Sequence, residues 1–201
     1  MLTSGIAISF LSAAVLFCAS AEAQTPRLKV RTKRHDDARE EAGKEQILRL
    51  AQQYDLKKYT ITRDIVIERG VIPHSKPEVT LNVRFLENDD LALSSYLHEQ
   101  GHWVLTERGQ RRNRPLLEDL MRTFPGLDYE RPNGDGEQIG SYFHIAVCLL
   151  EWQATEALVG AERARKVIEW KQGDHYKAIY ALILSRRGQV ESILNRNGVS
   201  W

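Results

Sequence analysis

Two histidines, His98 and His102, stand four residues apart in the stretch SSYLHEQGHW (94–103), and Glu99 directly follows the first. On a helix, residues four apart share a face, so both imidazoles can reach one cation. Zinc accepts neutral imidazole nitrogen in a tetrahedral site. Glu99 projects beside that face and is expected as a general base toward a water held there, not as a ligand. The flanking Leu91, Leu93, Tyr96, Leu97, Val104 and Leu105 are apolar. They bury the helix, and unpaired imidazoles and a carboxylate at such a place are costly. A bound metal removes that cost; the competing reading is an ordinary helix with two hydrogen-bonded histidines.

A catalytic zinc has three protein ligands and one open position. The remaining ligand is expected from SYFHIAVCLLEWQATEAL (141–158), where His144, Cys148 and Glu151 sit among apolar residues. His144 and Glu151 are seven residues apart and return to nearly the same side of a helix, but about 10 Å apart along its axis. Glu151 is read as the third ligand and His144 as a supporting or oxyanion-stabilising group. The swapped assignment puts His144 on the metal. A further alternative pairs Glu151 with an arginine such as Arg122 and leaves it no metal role. Cys148 reads as a buried structural thiol. Tyr176, in HYKAIYALIL (175–184), is a candidate donor to a tetrahedral intermediate, with core or surface packing as its ordinary alternative.

HExxH followed on a later helix by a glutamate resembles the zinc metallopeptidases called zincins, and among them the gluzincins, whose third ligand opens an ExxA segment. Glu151 begins EWQA, and Thr155 stands where gluzincins often carry an aspartate. The resemblance spans about residues 60–160. It implies Zn2+ held by His98, His102 and Glu151, with Glu99 as base and a peptide or protein as substrate. It also implies an edge strand over the cleft, along which substrate backbone adds as another strand; EVTLNVRF (78–85) is similar in position and character.

The elements that must position these residues follow from periodicity and punctuation. A helix is expected over about 37–54, with Ile47, Leu48, Leu50, Ala51 and Tyr54 as its apolar face. YTITRDIVIERG (59–70) and EVTLNVRF are rich in β-branched residues and read as strands. Asp89 or Asp90 caps the helix that carries HExxH to about Thr106. A basic turn is expected at 109–114 and a short helix at 115–124. A Gly- and Pro-rich loop follows, and then helices over 139–159, 161–171 and 175–195. The expected fold class is α+β and zincin-like: a small sheet with an edge strand, the active-site helix, and a C-terminal helical part.

Residues 1–23 are largely apolar and end in Ala21-Glu22-Ala23, which reads as a signal peptide for a secreted or periplasmic protein, with an uncleaved anchor as the alternative. Residues 24–44 read as a flexible charged arm and 45–201 as the metallopeptidase domain. The 201 residues suffice for one core, and 42% hydrophobic and 27% charged residues mark a globular chain. A formal net charge of +1 gives no reason to expect nucleic acid as a partner. No stable membrane span is expected once the signal is removed. The rival in another class is an exported, non-catalytic binding protein with a structural metal site.

Overall fold

A computed structural model describes residues 27–201. The proposed signal peptide, and the arm up to residue 26, lie outside the described residues. Three short strands, β1 (Lys29–Thr32), β2 (Asp64–Ile67) and β3 (Val79–Leu81), form one parallel sheet in the order β1-β2-β3. Helix α1 (Ala38–Gln53) makes the crossover between β1 and β2. Its cap, Asp37, accepts from the backbone N–H groups of Arg39 and Glu40. Gly43, Gln46, Ile47, Leu50 and Ala51 supply its buried face at helical spacing.

Four further helices follow: α2 (Asp89–Thr123), α3 (Gln138–Val159), α4 (Ala161–Asp174) and α5 (Lys177–Arg196). Asn88 caps α2 by accepting from the Leu91 N–H at 3.0 Å. Helix α3 is apolar nearly all round and packs against α2, α4 and α5, the position such a helix must take. Ile145, Val147, Leu149 and Leu150 are fully buried. Each contributes about 1.5–3 kcal/mol relative to exposure. Gly101 lets α2 and α3 approach closely: a Cβ there would meet Val147 Cγ1 at 3.4 Å. That close crossing brings the HExxH stripe against the polar residues of α3.

The small sheet followed by helices agrees with the expected α+β class, with several local differences. Part of the stretch expected as an arm is strand and helix, because Val30 and Thr32 turn inward between outward Lys29 and Arg31. The two expected long strands are short, and β3 has its outer edge partly taken. His74 and Thr80 exchange backbone hydrogen bonds at 3.0 and 2.8 Å. The expected basic turn at 109–114 reduces to one residue. Gly109 alone leaves helical geometry, with φ 74° and ψ 162°, and the helix resumes directly after it and continues through Pro115. Asn113 repairs the break by donating to the Leu105 carbonyl at 2.6 Å. No helix among the described residues is long and apolar enough to cross a membrane.

Candidate metal centre

Ser94, His98 and His102 lie at four-residue intervals on one face of α2, which packs against α3. The face they meet carries His144, Cys148 and Glu151 of α3. Two sets of potential metal donors result, each with ligand atoms within 4.8 Å of one another: His98, His102 and His144, and His98, Cys148 and Glu151.

The sets differ in what their atoms are already doing. Glu151 is fully buried, and each of its carboxylate oxygens has two donors. Oε1 accepts from Ser94 Oγ and from Lys171 Nζ at 2.5 Å. Oε2 accepts from His98 Nδ1 at 2.8 Å and from the Tyr180 hydroxyl at 2.9 Å. Burial pushes this carboxyl up, but Lys171 and His98 outweigh it and hold it below the usual carboxylate range. Burial also pushes the Cys148 thiol well up, so it stays protonated.

The three histidines are arranged differently. His98 Nδ1 is spent on Glu151, which puts its proton there and the lone pair on Nε2. His144 Nδ1 faces two acceptors, the Gly140 carbonyl at 2.9 Å and Asp135 Oδ2 at 3.3 Å, so its Nε2 is likewise the free nitrogen. His102 Nε2 stands 3.3 Å from His98 Nε2. Ring centroids are 5.0 Å apart for His98 and His102, and 4.8 Å for His102 and His144. Asp135 reaches His144 because Gly140 leaves room: a Cβ there would lie 1.9 Å from the Asp135 carboxylate.

Burial pushes His98 down to about 4 and His102 well below the ordinary imidazole value. Both are therefore neutral and competent as ligands at neutral pH. Glu99 is only 5% exposed and lacks the donors that surround Glu151. Burial raises it to about 8. It lines a cavity of about 380 Å³ together with His98, Tyr176, His175 and Arg131. Tyr176 links α4 to α5 in a left-handed conformation, φ 49° and ψ 39°, a cost of about 1–2 kcal/mol for a residue with a Cβ. Its ring lies 4.3 Å from the His144 ring and parallel to His98 at 6.0 Å.

The raised Glu99 carboxyl has a measurable consequence in the metal-free protein. Its folded form keeps a proton that the unfolded chain releases near pH 4.5, so stability falls as pH rises from there to about 8. Metal-free Glu99→Gln is expected to be more stable than metal-free wild type at pH 8 in urea unfolding, with the difference vanishing near pH 4.5. An equal difference at both pH values would mean that Glu99 is not desolvated.

The sequence-predicted residues His98, Glu99, His102, His144, Glu151 and Tyr176 therefore meet in one place. Arg122, the suggested arginine partner of Glu151, instead contacts Asp119, and Lys171 takes that role. Sequence reasoning missed Lys171, Ser94 and Asp135. The available signals were the spacing of Lys171 after Val167 and Ile168 on the buried stripe of α4, and of Ser94 one turn before His98. No family model matches this chain, and neither a curated protein nor a solved structure matches it.

Proposed function

We propose that this chain is a zinc-dependent hydrolase acting on amide bonds of peptides, with His98, His102 and His144 as ligands. One observation carries the reading: the 3.3 Å separation of the His98 and His102 Nε2 atoms. Two nitrogens bound tetrahedrally at 2.0–2.1 Å to one zinc are about 3.3 Å apart. The Nδ1 partners of His98 and His144 favour lone pairs on their Nε2 atoms, the form that binds metal.

This assignment moves Glu151 from ligand to orienting group. A carboxylate with four hydrogen-bond donors has no lone pair in reserve. Held against His98 Nδ1, it fixes the ring and increases its basicity, as carboxylates commonly do behind metal-bound histidines. A bound zinc supplies Lewis-acid polarisation and lowers the pKa of water. Glu99 faces the cleft with its carboxylate unspent, positioned to take a proton from the attacking water and deliver it to the leaving amine. A zinc cation beside Glu99 also favours its ionised, basic form over the neutral form that burial favours.

Tyr176 lines the same cleft, and its left-handed backbone is the kind of strain that accompanies positioned functional groups. We assign it to hydrogen bonding with the developing oxyanion. Tyr176→Phe is expected to lower kcat about 10²-fold with KM little changed, measured on a quenched peptide. An unchanged kcat would reduce Tyr176 to packing. A closed structural site fits less well, because the histidine cluster has no fourth protein ligand among the described residues and one of its members, His98, lines a cleft. The reading is tested by chelator-sensitive cleavage of a fluorescence-quenched peptide library, restored by zinc. A zinc-loaded protein that cleaves nothing would favour the non-catalytic alternative.

A further inference from the structure

The cleft at the histidines continues into a second, shallower hollow of about 450 Å³, sharing Val71, Asn82 and Arg84 with it. Arg39, Arg69 and Arg84 face this hollow. Arg69 follows β2 and Arg84 follows β3, so the hollow lies beyond the carboxyl ends of two parallel strands. No carboxylate lines this hollow, whereas three arginines do.

Much of the donor capacity of these guanidinium groups is unspent. Arg39 has one contact, to the Val83 carbonyl at 3.3 Å. Arg69 reaches Asp37 only at 3.4 Å. Arg84 is bound on both terminal nitrogens by Asp174, which fixes it in place and neutralises it. Beyond the histidines, Arg131 also lines the cleft. Its Nε donates to the Asp135 carbonyl at 2.7 Å, and its side chain lies across Gly136, which positions the group while leaving both terminal nitrogens free of protein partners among the described residues. A channel of this kind, cationic at each end and close to the proposed reacting centre, attracts negative charge and orients it.

We infer that the groove binds an acidic polypeptide segment, with carboxylate side chains on Arg39 and Arg69 at one end and on Arg131 at the other. The choice of a peptide rests on the hydrolase reading; the choice of acidic residues rests on the groove. The net charge of the chain is only +1, so local placement and not global charge provides this preference. Edge-strand addition contributes little here, since His74 already occupies the backbone of Thr80.

The test is fluorescence anisotropy of labelled Glu-rich, Gln-rich and Lys-rich peptides on full-length, zinc-loaded Glu99→Gln protein, at low and high salt. The Glu-rich peptide is expected to bind at least about tenfold more tightly than the Gln-rich one, with the advantage shrinking in high salt. The Arg39→Glu/Arg69→Glu variant is expected to reverse the preference toward the Lys-rich peptide, a gain that misfolding cannot produce. Arg114→Glu, on an exposed arginine paired with Glu118 outside the groove, is expected to leave the preference intact. Equal affinity for the three peptides, no effect of the charge reversal, or tighter binding of single-stranded DNA than of the acidic peptide would overturn the inference. No step requires hydrolysis, so selective binding by a protein whose wild type cleaves nothing would leave this inference standing and remove the hydrolase reading alone.

Discussion

Glu99→Gln is expected to retain its zinc and lose hydrolysis, with kcat falling about 10²–10⁴-fold. Glu99 is held one residue from a proposed ligand, inside the cleft, without the hydrogen bonds that would spend its carboxylate. The amide of glutamine has nearly the same shape and packs in the same space, but it cannot accept and return a proton. The three imidazoles and their supports are untouched by the change, so metal content and the unfolding midpoint of the zinc-loaded protein are expected to remain near wild type. Single-turnover cleavage alongside elemental analysis separates the two properties. Turnover within a few-fold of wild type would remove Glu99 from the mechanism, and loss of zinc would make it a ligand.

The second large effect is structural. Lys171 is 2% exposed and lies 2.5 Å from the fully buried Glu151 carboxylate, whose charge it offsets. Lys171→Met preserves much of the side-chain volume and strands that carboxylate. Breaking a buried pair from one side costs about 3–5 kcal/mol, and the loss is expected in urea unfolding at pH 7. Removing both charges, in Lys171→Met/Glu151→Gln, is expected to recover a large part of it. The pH dependence has a definite sign. Glu151 is held below its unfolded value, so the stability it contributes is present above about pH 4.5 and declines as pH falls below it. In Lys171→Met the carboxyl rises, and this acid-side decline is expected to weaken. A loss below about 1 kcal/mol would mean that the serine, tyrosine and histidine donors suffice to hold the charge.

What the sequence made legible follows the range of the interactions. The stripe of His98 and His102 is local to one helix, as are the face of α1 and the apolar surface of α3, and all three read directly from spacing. The surroundings of Glu151 are not local. A carboxylate at Glu151 inside an apolar helix requires a partner, and that much is visible in the sequence. That partner came from Lys171 on α4, Ser94 on α2 and Tyr180 on α5, which only the packing of four helices brings together. Helix α4 looks solvent-facing because Arg165, Lys166 and Glu169 surround its narrow buried stripe. The strand β1 was hidden for a similar reason. Its outward Lys29 and Arg31 obscure an alternation only four residues long. The run of arginines at 109–114 suggests a loop, while only Gly109 leaves helical geometry in α2.

The central claim is a zinc site built from His98, His102 and His144, with Glu151 behind His98 and not on the metal. Zinc content by elemental mass spectrometry, on the purified full chain and its His144→Ala and Lys171→Met/Glu151→Gln variants, tests it most directly. The expected result is about one zinc per chain in wild type, little in His144→Ala, and zinc retained with roughly 10–100-fold weaker affinity in the Glu151 variant. A wild-type chain that holds no zinc after loading would contradict the site itself. Zinc retained without His144 and lost without Glu151 would contradict the ligand set.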